Sequence, residues 1–240
     1  MRLQARRGRL LLGALAAALA VLALGATGAQ AKLVKVTGST TVTPSQGATQ
    51  FLSNAGVSVS TVGTATSGAG GFTFPVFAGF GDTKTYNGLL AHSGGLRFSK
   101  GERSVVLRRF VAVRLGKRSA LLAQIPGAKG GCGHIASAAR RFAKKPDRAR
   151  YTTKYVKLRY PNAAKRVVQA TKAYCKRGKV IVLATLSNLG KSVEGGTATL
   201  TADLNLSAQA ARLVNRLAGS KVVAKGALLG TATSTVTKAG

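Results

Sequence analysis

Residues 197–206 alternate without a break: Ala198, Leu200, Ala202, Leu204 and Leu206 take one parity, and Thr197, Thr199, Thr201, Asp203 and Asn205 take the other. An extended chain sends successive side chains to opposite faces. A period of two therefore predicts a half-buried antiparallel strand, one face on a core and the other in water. The pattern recurs. Phe72, Phe74, Val76, Ala78 and Phe80 alternate with Thr73, Pro75, Phe77 and Gly79. Val105, Leu107, Val111 and Val113 share a parity that Arg109 interrupts. Residues 119–125, 179–186 and 227–236 are further β-rich runs, and Gly, Ser and Asn punctuate them at short intervals. Many short strands joined in this way build a sandwich or a barrel. The expected fold is mainly β: an antiparallel β-sandwich or barrel-like domain over 32–240, with two short helices and a basic, partly helical insertion.

The two helices announce themselves by their ends. Ser45 precedes 46–52 with Gly56 beyond, and Ser207 precedes 208–214 with Gly219 beyond. A serine hydroxyl accepts from the exposed amides of a first helical turn, and a glycine takes the left-handed conformation past the last one. Each helix also precedes a Val-containing segment read as a strand, 57–59 and 221–223. This is either a weak internal duplication or two uses of one common solution.

The N-terminus bears on the compartment. Arg2, Arg6, Arg7 and Arg9 precede an apolar run over 10–24, and Ala29-Gln30-Ala31 follows. A charged start, a short apolar run and a small-residue site form a secretory signal peptide, expected to be cleaved near Ala31. The apolar run is shorter than the roughly 20 residues needed to span a bilayer. No transmembrane helix is expected in the mature chain, which is read as secreted or associated with the cell envelope.

Charge then takes on a different meaning. The chain carries 37 Lys and Arg against 5 Asp and Glu, a net charge of +32. Nucleic acid is an unlikely partner for an exported chain. Anionic envelope polymers and lipid head groups are the polyanions at hand. Segment 127–179 holds 16 of the basic residues and one Asp. Arg140, Arg141, Lys144, Lys145, Arg148, Arg150, Lys154, Lys157 and Arg159 are its candidate polyanion-binding residues. Tyr151, Tyr155 and Tyr160 interleave with them, as in single-strand nucleic-acid binders, although no nucleic-acid motif accompanies them. A plain solvated basic face is the remaining reading. Cys132 and Cys175 bracket the segment. In an exported chain they predict one disulfide, which in the chain-entropy account stabilises by about 4 kcal/mol; two free thiols are the alternative.

Catalytic and metal chemistry find little support. Five carboxylates and two histidines leave few acid–base pairs, and nothing in the sequence assembles a Ser-His-Asp arrangement around either His. Cys132 and His134 alone fall short of a metal site. The expectation is a non-enzymatic protein with no catalytic residues and no metal.

The most informative segment runs from Tyr86 to Phe98 and contains His92-Ser93-Gly94-Gly95-Leu96. Gly94-Gly95 signals a tight turn or a bulge. If no bulge shifts the register, Leu90, His92, Leu96 and Phe98 share a face. A His among apolar neighbours is either a hydrogen-bonded structural residue or a residue of a ligand pocket.

Together with the "fP…G" strand over 72–79, the capped helices and Leu228-Leu229-Gly230-Thr231-Ala232, this segment resembles the HtaA-type domain of secreted and surface haem-uptake proteins. The resemblance covers about 36–125 and 180–236, with the basic insertion outside it. It implies haem as cofactor and haem or haem proteins as partners. In that family a tyrosine near the first helix ligates the iron and a histidine supports it. The histidine maps onto His92 and the tyrosine onto Phe51 or its neighbours. No Tyr occurs between Lys32 and Thr85, and phenylalanine has no oxygen to offer ferric iron. The functional expectation is an exported HtaA-like haem-binding protein whose ligand tyrosine is lost. The alternative is an envelope-associated polyanion-binding or structural protein acting through the insertion.

Overall fold

The computed structural model describes residues 33–82, 88–115, 118–128 and 178–239, all within one compact unit. The signal segment, Tyr86, both cysteines and the nine candidate polyanion-binding residues lie outside the described residues.

The chain runs β1 (Leu33–Pro44), α1 (Gln46–Asn54), β2 (Ser58–Val62), β3 (Thr66–Gly68), β4 (Gly71–Asp82), β5 (Gly88–His92), β6 (Gly95–Lys100), β7 (Arg103–Leu115), β8 (Arg118–Pro126), β9 (Gly178–Glu194), β10 (Thr197–Leu206), α2 (Ala208–Ala218) and β11 (Leu228–Lys238). Pairing is antiparallel, in the order β5-β4-β1-β11-β10-β9-β8, and β7 pairs both β8 and β5. The sheet is thereby closed into an eight-stranded barrel, with β2, β3 and β6 as additions. Of the two expected architectures, the barrel is the one formed. Closure gives each ring strand a neighbour on both sides over part of its length.

Strand faces follow the sequence on β10 and β11. Ala202, Leu204 and Leu206 are buried, as are Gly230, Ser234 and Val236. The other face of β11 presents Thr231, Thr233, Thr235 and Thr237 to solvent. Thr233 lies opposite Thr41 on β1 and Thr201 on β10. Cross-strand β-branched pairs of this kind stabilise a pleated sheet. A lipid-facing barrel carries an apolar band there instead.

Two strands depart from simple alternation. On β4 the register against β5 shifts between Val76 and Ala78. Phe72, Phe74 and Val76 hold the inner row, but Gly79, not Ala78, continues it: a Cβ at Gly79 would meet the Val36 and Leu90 side chains. On β7 the register against β8 shifts between Arg108 and Val111, where Arg109 has φ 51°. Phe110 and Ala112, rather than Val111 and Val113, therefore join Val105 and Leu107 in the main core. The Phe110 ring meets Phe74 edge to face at 5.0 Å, a favourable aromatic geometry.

Both helices start and stop as expected. Ser45 Oγ accepts from the Ala48 amide, and Ser207 Oγ accepts from the Ala210 amide. Gly219 closes α2 at φ 76°. Pairing of β10 with β9 ends at Leu206 opposite Ala184, and the start of α2 bonds the β9 backbone just beyond. Gln209 accepts from the Val182 amide at 3.0 Å, and Ser207 donates to its carbonyl. The segment after α2 is not the expected strand. Asn215 instead accepts from the amides of Val222 and Val223, both at 2.9 Å, and donates to the Val223 carbonyl. Leu52 of α1 and Val105 of β7 both pack against the cluster that includes Leu217 and Ala218 of α2. Ala210 and Leu206 pack with Phe51 and Leu183. The two helices cover one end of the barrel.

Candidate functional site

The barrel encloses a cavity of about 460 Å³. Its walls are almost wholly apolar, and among the described residues that line it none is acidic. Among the few polar residues that reach it are Thr40, His92, Arg114, Ser119 and Ser234.

The His92-Ser93-Gly94-Gly95-Leu96 motif builds one wall. β5 and β6 are collinear halves of one strand against β7, separated by Ser93 and Gly94. At that jog Gly94 takes φ 78°, and a Cβ there would lie 2.5 Å from the Ala65 nitrogen. Its carbonyl accepts from the Arg109 amide at 3.1 Å, so the jog and the β7 bulge hold each other. A Cβ at Gly95 would sit 2.2 Å from the Leu107 carbonyl oxygen. Both glycines are required by close approach of backbone. Leu90, His92, Leu96 and Phe98 all line the cavity, as the shared parity predicts.

His92 is 2 % exposed and both ring nitrogens are engaged. Nδ1 lies 3.1 Å from the Phe110 carbonyl oxygen, so it carries the proton and donates. Nε2 is then an acceptor, and the Thr40 hydroxyl donates to it at 2.7 Å. With its proton so used, Thr40 accepts from Ser234 at 2.8 Å. Burial lowers the His92 pKa from 6.5 to about 4, partly offset by the bond to the Phe110 carbonyl. The ring is neutral at pH 7. The two hydroxyls of this network, Thr40 and Ser234, are remote from His92 in the sequence, and the fold brings them to it. The group on Nδ1 is a backbone carbonyl, not the carboxylate that a Ser-His-Asp arrangement uses.

Phe51 lies on α1, half-buried, at the helical end of the same cavity. Its ring packs against the cluster of Leu206, Ala210 and Val223. His134, Cys132 and Cys175 fall outside the described residues, and among those described no group of three or more His, Cys, Asp or Glu could hold a metal ion.

Arg114 is the site residue that sequence reasoning missed. Strict alternation from Val105 and Leu107 puts it outside, and the extra residue at Arg109 turns it inward. It lies on one cross-strand row with Val34, Gly81, Gly88 and Ser119, all of which line the cavity. Its Nε is buried and has no hydrogen-bond partner among the described residues.

These features define a closed antiparallel barrel with a largely apolar internal cavity, covered at one end by two capped helices. The fold is that of the HtaA-type domain. It superposes on the C-terminal domain of HtaA from Corynebacterium glutamicum with a TM-score of 0.53 and 15% identity, over 86% of this chain and 99% of that one. The N-terminal domain of HtaA gives 0.49 at 15% identity, over 85% and 98%. The heme binding protein HtaB from the same organism gives 0.47 at 10%, over 87% and 96%. No protein-family model matches the sequence, and no curated protein does.

Proposed function

We propose that this chain is an exported, non-enzymatic binding protein of the haem-uptake type, which holds an apolar ligand in the barrel. The observation that carries this reading is the apolar cavity of about 460 Å³ inside a closed barrel. Its size lies within the usual range of small-molecule sites. The likeness to the HtaA fold and the His-Ser-Gly-Gly-Leu motif support haem as the ligand.

The lumen suits the ring better than the iron. All five tyrosines lie outside the described residues. Among the described residues the imidazole that borders the cavity is His92, which already accepts from Thr40 through Nε2. Phe51, at the approximate position of the family tyrosine, offers no oxygen. Haem binding here rests on apolar contact, with His92 as a positioning residue of the wall. Titration with hemin tests this. The native chain is expected to shift the Soret band weakly, without a tyrosinate signature. Phe51→Tyr is expected to tighten binding and add that signature. No Soret change in either protein at micromolar hemin rejects haem as the ligand.

Export, with cleavage near Ala31, belongs to the same proposal. So does attachment to anionic envelope polymers or lipid head groups through 127–179, motivated by its 16 basic residues against one Asp. Deleting the segment is expected to abolish salt-sensitive retention on anionic vesicles; unchanged retention rejects that part.

A further inference from the structure

The cavity has two dissimilar ends. The helical end is closed by side chains from α1 and α2. The other end holds Arg114 and, on the last residue of β11, Lys238. Among the described residues, no acidic side chain lines the cavity to balance them. Leu189 and Val193 also border it, and they are 37% and 60% exposed, unusual for apolar residues that a folded chain has no other reason to leave in water.

Arg114 is oddly placed for a structural residue. A buried guanidinium N–H without an acceptor is destabilising, and proteins rarely leave one so. Its row neighbours on both sides are small: Gly88 on β5, with Gly81 beyond it, and Ser119 on β8. The Ser119 hydroxyl is turned to the Leu186 carbonyl oxygen at 3.4 Å. The row thus places a cation with an unmet Nε donor among small neighbours, at one end of an apolar chamber.

We propose that this end of the barrel is an anion anchor: the lumen takes a ligand with an apolar body and a terminal carboxylate, and Arg114 binds the carboxylate. The inference rests on the reading that the barrel cavity is the ligand site. Arg114 meets a carboxylate through paired N–H donors, a geometry that lysine does not reproduce. Lys238 adds positive charge at the same end. The apolar body lies toward the His92 level, about 13 Å further along β7 at strand spacing. Both a long-chain fatty acid and a porphyrin bearing propionates have this chemistry.

The test compares each acid with its ester on the purified chain. cis-Parinaric acid and its methyl ester are followed by fluorescence, hemin and its dimethyl ester by absorbance. At least one acid is expected to bind native protein about tenfold or more tighter than its ester, the effect of a charge-assisted hydrogen bond in a dry site. Arg114→Met should bring that acid down to the level of its ester and leave ester binding unchanged. Arg114→Lys should restore part of the preference. The pair that shows the effect identifies the acyl or the porphyrin source. Equal binding of acid and ester to native protein overturns the anchor while leaving the cavity reading intact, and this comparison needs no variant. A preference that survives Arg114→Met overturns it equally. If neither acid nor ester of either pair binds, the cavity reading fails and the anchor falls with it.

Discussion

His92 and Arg114 look into the same barrel and could hardly be treated more differently by it. His92 is held by Phe110 on one nitrogen and Thr40 on the other, with Ser234 behind Thr40. Arg114 keeps a buried Nε without a partner among the described residues. A buried polar group that is fully bonded specifies its neighbours, whereas an unbonded one is a cost that the folded chain alone does not repay. The first behaves as part of the scaffold and the second as a residue waiting for a ligand. The motif that drew attention in the sequence is therefore mainly architectural. The residue with the clearest chemical opening was hidden in an ordinary basic strand.

The contrast breaks most easily at His92. Replacing it with Ala removes the donor to the Phe110 carbonyl and the acceptor of the Thr40 hydroxyl and opens a void, and is expected to cost about 4 kcal/mol in urea unfolding at pH 7.5. A loss under 1 kcal/mol would show that the bonds are not structural. The same group sets a pH dependence. Unfolded, it takes up a proton below pH 6.5; folded, only below about 4. The unfolded chain binds the extra proton in between. Stability is thus fully present above pH 6.5 and falls as pH drops toward 4, by roughly 3 kcal/mol. The fall should disappear in the Ala variant.

Arg114 should give the smallest effect on stability. Arg114→Met removes an unmet donor and keeps apolar bulk, so unfolding free energy is expected to stay level or rise by about 1 kcal/mol. A loss larger than that would make Arg114 a structural residue like His92 and erase the difference between them.

Much of the scaffold was legible because its signals are local. Alternation over 197–206 needs no knowledge of the partner strands. Ser45 and Ser207 cap amides three residues on, and Gly94-Gly95 marks a place where backbone must come close. The segment after α2 misled because Val222 and Val223 look like a strand, while Asn215 satisfies their amides instead. The site was less visible. Thr40 lies 52 residues from His92, and Ser234 lies 194 from Thr40, so no window of sequence joins them.

The sequence by itself determined a β protein with two capped helices, a His on an apolar face and a heavily basic segment. Each of these follows from side-chain spacing, which the backbone geometry of a single strand or helix turns directly into a pattern. Tertiary structure decided the rest. Whether eight strands lie in two sheets or close into a ring depends on β7 pairing with both β5 and β8. Which way Arg114 faces depends on one extra residue at Arg109, tied across to Gly94. A side-chain period of two makes any single-residue slip reverse every residue beyond it. Only the neighbouring strands, through their registers, determine where that slip falls.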